Sequence, residues 1–170
     1  MVEPVELVQA FRFGVTLTQS SGNGRTGSPL GTGGFAECSG LDLEAEIKEY
    51  LEGGRNDGVV RRVGRVKLVP LVLKRGMFSP NRGGPADTAL WDWIMAVVEG
   101  RRPIPRYDGY VDVHAPRATL PGTARAVARW RFERGLPLKV TGPSLNARTG
   151  EIAVEELHVA HEGLRMERPG

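Results

Sequence analysis

The sequence predicts a mainly β fold with one helix between two groups of strands. Three observations carry this reading. Apolar and polar residues alternate over several short stretches, the period of a strand with one buried face. Glycine occurs 23 times and proline 12 times in 170 residues, which demands many turns and short elements. A single segment, 89–100, places apolar residues at helical spacing.

The elements follow in chain order. Phe11, Phe13, Val15 and Leu17 alternate with Arg12, Gly14 and Thr16, predicting a strand over 11–17. Residues 20–34 (SSGNGRTGSPLGTGG) are too rich in Gly and Ser to build a core and read as a surface insertion. No G-K-[ST] follows them, so they lack the context of a phosphate-binding loop. A short strand is expected over 35–41. Residues 43–51 have helix-forming composition, but Leu41, Leu43, Ala45 and Ile47 alternate with Asp42, Glu44, Glu46 and Lys48. Only a strand puts those apolar residues on one face. The stretch 52–64 (EGGRNDGVVRRVG) reads as a loop, with Gly53-Gly54 and Asp57-Gly58 suited to positive φ. Residues 66–74 form the next strand, where Pro70 implies a bulge or an edge.

The helix is expected from an N-cap at Asp87 or Thr88 to a C′ glycine at Gly100, with Leu90, Trp93, Ile94, Val97 and Val98 on one face. Pro103 and Pro105 prevent its continuation. A β-meander should follow, with strands over 107–114, 124–132, 138–141 and 151–161, and turns near Ala115-Pro116 and at Gly142-Pro143. No internal repeat or linker divides the chain, so it reads as one domain of about eight strands.

The totals exclude several classes. A net charge of +3 arises from 23 Lys and Arg against 20 Asp and Glu, a mixed-charge surface more than a basic protein. With Cys38 as the single cysteine, neither an internal disulfide nor a cysteine zinc site can form. No apolar run approaches the roughly 20 residues of a membrane span, and the acidic start is unlike a signal peptide. Synthesis and assembly in the cytoplasm, with no membrane anchor, is the expectation.

The search for chemistry finds no convergent site. His158 and His161 are three apart, which on a strand puts them on opposite faces, and nothing in the sequence brings His114 to them. Cys38 sits in a strand and reads as a structural thiol. Asp42, Glu44 and Glu46 form a row along one strand face, suited to a solvated surface or to a water-filled lumen. Arg55, Arg61, Arg62, Arg65 and Lys67 make a basic cluster in and beside the 52–64 loop. That cluster fits a solvated loop, a nucleic-acid contact or a salt-bridged contact between subunits, in which one copy's arginines meet another's acids. A small basic nucleic-acid-binding module is therefore a competing reading, and an enzyme of unrecognised type a weaker one.

Taken together in order, a set of short motifs resembles the tail tube proteins of contractile phages and the inner tube proteins of contractile injection systems. The motifs are Gly34-Phe35 with Ser39-Gly40-Leu41, Glu49-Tyr50 with Glu52-Gly53-Gly54, Leu73-Lys74-Arg75-Gly76 and Leu90-Trp91-Asp92-Trp93. Further along come Trp130 with Phe132, Pro137-Leu138-Lys139, Gly142-Pro143, Leu145-Asn146-Ala147, Glu155-Glu156-Leu157 and Ala160-His161-Glu162-Gly163-Leu164.

The resemblance implies two packed antiparallel sheets with a flanking helix. It further implies six subunits closing a ring around a shared β-barrel, and rings stacking into a tube. The implied partners are further copies of the chain, a contractile sheath, baseplate hub and spike proteins and a tube terminator cap, with protein effector or DNA as lumen cargo. Neither an enzymatic activity nor a cofactor is implied. Residues 51–64 become the expected inter-ring loop, with Arg55, Asn56, Asp57, Arg61, Arg62 and Arg65 as its contacts. Asp42, Glu44 and Glu46 become candidate lumen or interface acids. The chain departs from the family pattern in its long 20–34 insertion, in Leu136 and in Val69-Pro70. The insertion leaves open a tube-initiating paralogue beside the baseplate.

Overall fold

The computed structural model describes residues 8–9, 12–20, 27–30, 34–51, 53–54, 58–79, 81–115, 126–148 and 150–169. Its elements are β1 (Phe13–Gln19), β2 (Glu37–Ser39), β3 (Leu43–Tyr50), β4 (Val60–Leu68), β5 (Leu71–Gly76), α1 (Ala89–Val98), β6 (Tyr107–His114), β7 (Ala126–Thr141), β8 (Val154–Ala160) and β9 (Gly163–Glu167). The fold is mainly β, as the alternation predicts.

Two antiparallel sheets share the long strand β7. The first runs β1-β6-β7-β9 and the second β7-β8-β5-β2. The first part of β7 lies between β6 and β9, and its end pairs with β8. At the crossing Arg134 adopts a left-handed φ of 53°, uncommon for a residue with a Cβ. Its amide donates to Asp108 Oδ1 at 2.8 Å, and Glu162 receives Arg134 Nε at 2.7 Å and Arg106 at 2.6 Å. These bonds tie the corner where the chain passes from one sheet to the other.

The core lies between the sheets. Leu17 and Phe132 from the first sheet meet Leu71, Leu73, Leu157 and Val159 from the second, and Leu90 and Trp93 of α1 close one side. The alternation in β5, β6 and β8 is what aims these side chains inward. Within the same alternation, Arg75 and Glu155 are also fully buried, paired at 2.5 Å, with Asp87 at 2.7 Å from the guanidinium. Asp87 Oδ1 also accepts from the Ala89 amide at 3.2 Å, so one carboxylate anchors both the arginine and the start of α1. Gly100 closes the helix with φ +66°, as its C′ position requires.

Several boundaries differ from the sequence expectation. The strands expected over 124–132 and 138–141 are one strand, because the ladder continues through a bulge around Arg134. The strand expected over 66–74 is two, β4 and β5, separated at Val69-Pro70. The one expected over 151–161 is confined to β8, and β9 adds a strand the alternation did not announce.

The face of α1 is rotated. Leu90, Trp93 and Ala96 are buried, while Val98 is 71% exposed. The Trp93 indole N–H donates to the Pro105 carbonyl at 2.8 Å, which turns that side of the helix toward the body. Part of the insertion is also ordered against the core: Leu30 packs on it, and residues 28–30 bond to the edge of β1.

Candidate assembly interface

Strands β3 and β4 form a two-stranded sheet of their own and pair with no other described strand. The alternation of 43–50 makes β3 a strand, as expected. The expected 52–64 loop is shorter, because β4 already begins at Val60. Arg61 and Arg62 therefore lie on a strand and not in a loop, a correction to the sequence reading, and Arg65 lies on the same strand. The cause is a bulge. Ala45 opposes Val66 and Ile47 opposes Val63, so two residues of β4 face Glu46 alone. The extra residue brings Val63 and Val66, three apart in sequence, onto one face.

That face is apolar. Leu43, Ala45 and Ile47 oppose Leu68, Val66 and Val63. Every residue of β3 is exposed, Leu43 at 57% and Ile47 at 54%, and Val63 of β4 is 71% exposed. No part of the described chain covers this patch. At its far end Arg61 pairs with Glu49 at 2.9 Å.

The opposite face is charged. Glu44 opposes Lys67, and Lys48 opposes Arg62. The Arg62 guanidinium lies over the Tyr50 ring, 5.3 Å from its centroid. Glu44 and Glu46 share this face by strand parity, while Asp42 is exposed just before β3. Glu44, Glu46 and the arginines thus belong to one hairpin. Arg55, Asn56 and Asp57, the expected tip contacts, lie outside the described residues.

The hairpin joins the body through two short legs. The ladder stops at Ser39 opposite Val72 and resumes at Leu43 opposite Leu68. In between, Gly40 has φ +82°, and a Cβ there would sit 2.2 Å from the Pro70 carbonyl oxygen. Only glycine allows the two legs this approach.

The other singled-out residues do not converge. His158 bonds Glu156 at 2.5 Å on the surface of the second sheet, while His161 is buried beyond the end of β8. Hydrogen bonding from His158, helped by nearby Lys74 and Lys139, holds the Glu156 carboxyl below its ordinary range. Among the described residues no three His, Cys, Asp or Glu side chains are placed to hold a metal ion, and no helix is long and apolar enough to cross a membrane. Burial pushes the Cys38 thiol up to about 11, the behaviour of an inert cysteine.

The buried Arg75–Glu155 pair was missed. Its signal was present in the alternation Leu71-Leu73-Arg75 and Glu155-Leu157-Val159. The outer face of the first sheet carries a further polar ladder, in which Arg129 grips Asp112 at 2.5 and 2.8 Å and Arg131 reaches Glu133 and Glu167.

Comparison with known folds gives a consistent picture. The fold matches a chain in the structure of an extracellular contractile injection system, the PVC sheath–tube complex in its extended state. That match has a TM-score of 0.71 and 21% identity over 95% of this chain and 92% of the other. The anti-feeding prophage tube-terminating cap structure matches with a TM-score of 0.74 and 20% identity over 99% and 95%. The anti-feeding prophage baseplate structure matches with a TM-score of 0.72 and 20% identity over 99% and 98%. Comparison with curated proteins by sequence alone returns no match. The profile of the T4-like virus tail tube protein gp19 matches residues 9–165, nearly the whole chain. The chain belongs to the T4-like virus tail tube protein gp19 family.

Proposed function

We propose that the chain is the repeating subunit of the inner tube of a contractile tail or injection system. Six copies close a ring, and rings stack inside a contractile sheath to leave a channel for protein cargo or DNA. Baseplate hub and spike proteins and a terminator cap are the partners at the two ends.

One observation carries the reading. A tail tube family member holds out a two-stranded ribbon whose contiguous apolar face nothing in its own described chain covers. Isolated ribbons are marginal in water, and contiguous apolar patches mark contact surfaces. A head-to-tail contact between identical subunits covers such a patch and repeats indefinitely. In this reading Arg55, Asn56 and Asp57, which lie between the two strands in sequence, and Arg61, Arg62 and Arg65 on β4 meet the neighbouring ring. Asp42, Glu44 and Glu46 line the lumen or the same interface. Proteins of this family work as structural parts, and no catalytic role is proposed.

A second reading within the family is a tube-initiating paralogue beside the baseplate. It is favoured by fold matches to baseplate and cap structures as high as the match to the sheath–tube complex. Negative-stain imaging of purified protein tests both. The main subunit should give rings and long tubes, and an initiator should give rings that stay single unless mixed with tube subunits. A strictly monomeric species at high concentration that also fails to enter a sheath-containing particle would refute both.

A further inference from the structure

We propose that His161 is the positioning residue of the β3–β4 hairpin, setting the angle at which it leaves the body. The assembly part of this proposal rests on the function proposed above.

His161 follows β8 at the turn into β9 and is 9% exposed. Its Nε2 lies 3.1 Å from the carbonyl oxygen of Val69. A carbonyl only accepts, so Nε2 carries the hydrogen and donates. Nδ1 is buried and has no protein partner among the described residues, so the bond to Val69 is the ring's one polar contact there. The ring also packs toward Phe132, with centroids 6.0 Å apart. His161 is thus held by the core and reaches outward to a single backbone atom.

That atom sits in the hinge. Val69 and Pro70 form the leg between β4 and β5, and residues 40–42 form the leg between β2 and β3. The backbone ladder is interrupted across both legs. Pro70 has no N–H to restore it. The legs touch where Gly40 meets the Pro70 carbonyl. With no ladder across the gap, the orientation of the hairpin depends on this contact, on Leu41 packed against the core and on the His161 bond, the one of the three that reaches the hinge from β8.

Leverage makes the bond consequential. A strand of eight residues spans about 26 Å at about 3.3 Å per residue. A rotation of about 10° at the hinge would move the far end by about 4–5 Å on that length, enough to unseat an apolar face from its partner.

The test compares His161→Leu, His161→Asn and His161→Gln. Leucine removes the donor. Asparagine keeps an amide too short to reach Val69, and glutamine places an amide N–H near the position of Nε2. Amide exchange is followed in monomer, and the concentration needed for ring or tube formation in assembly buffer. The Leu and Asn variants should exchange faster in 43–68 with the body unchanged. They should need about fivefold more protein to assemble, the effect of one lost hydrogen bond. The Gln variant should behave as the parent.

Equal impairment of all three variants would overturn the proposal, since ring packing and not the donor would then matter. So would uniform loosening of body and hairpin, or unchanged exchange and assembly in the Leu variant. If the Leu variant fails to fold, the Asn and Gln comparison still decides, and if the Asn variant fails, the Leu and Gln comparison does. If the parent protein forms no rings, the tube reading fails by itself, and exchange in the monomer still tests the hinge.

Discussion

Strands β5 and β3 have the same alternation and opposite surroundings. In β5, Leu71 and Leu73 are fully buried between two sheets. In β3, Leu43 and Ile47 remain more than half exposed. Period two therefore says that a face is meant to be covered, without saying by what. In the sandwich the cover is another part of the same chain. On the hairpin no described part of the chain supplies it, and in the proposed function a neighbouring copy does, which would place stability and assembly in separate regions of the molecule.

Substitutions should separate the two regions, beginning with the body. Phe132→Ala should cost about 3–5 kcal/mol of folding stability, because it empties the fully buried centre of the core. A loss under about 1 kcal/mol in denaturant unfolding would mean that the sandwich does not carry the fold. Arg75→Met should cost about as much, around 3–5 kcal/mol, since it strands the Glu155 carboxylate in the interior. Adding Glu155→Leu should restore much of that loss, and failure to do so would assign the damage to lost packing or to Asp87, the second carboxylate on the guanidinium.

On the hairpin the balance reverses. Ile47→Asp should change subunit stability by no more than about 0.5 kcal/mol, as an exposed site does. It should abolish tube formation in negative stain. A large fall in melting temperature instead would mean that the apolar face is already covered within the chain. Reversing Arg61, Arg62 and Arg65 to Glu should cost the fold little beyond the exposed Arg61–Glu49 pair and the Arg62–Tyr50 contact, about 0.2–1 kcal/mol each. Ring stacking, read by sedimentation, should weaken more than that.

The smallest effect concerns pH. The Glu156 carboxyl titrates below its ordinary value when folded, through the His158 bond first. Its contribution is full above the unfolded value and is lost as pH falls through the lower folded one. Glu156→Gln should slightly flatten the acid limb of the stability profile below about pH 5, and an unchanged limb would show the pair to be idle.

How much of this was legible followed physical rules. β6 was read over its full observed length, because Gly109, Val111 and Val113 alternate inward without interruption. β7 was split because Arg134-Gly135 and Pro137 look like a turn. The structure absorbs them in a bulge and a left-handed residue held by Asp108. β9 has five residues and a weak pattern, so only pairing with β7 defines it. The first part of β4 reads as loop in the sequence because the bulge puts Val63 and Val66 out of period two. His161 stands out in the sequence only as half of a histidine pair and within a family motif, because the carbonyl it bonds lies 92 positions away.

The placement of β3 and β4 next to each other in the chain has a kinetic consequence. Their ribbon needs only a short loop to close, which takes microseconds. Phe13 must find Val113 and Leu71 must find Val159 before the sandwich exists. Such distant pairings are slow to form. A newly made chain can therefore show an apolar ribbon before it owns a core. Refolding yield should then fall with protein concentration more steeply than equilibrium stability would suggest, because early ribbons can find one another before the bodies that should carry them are built.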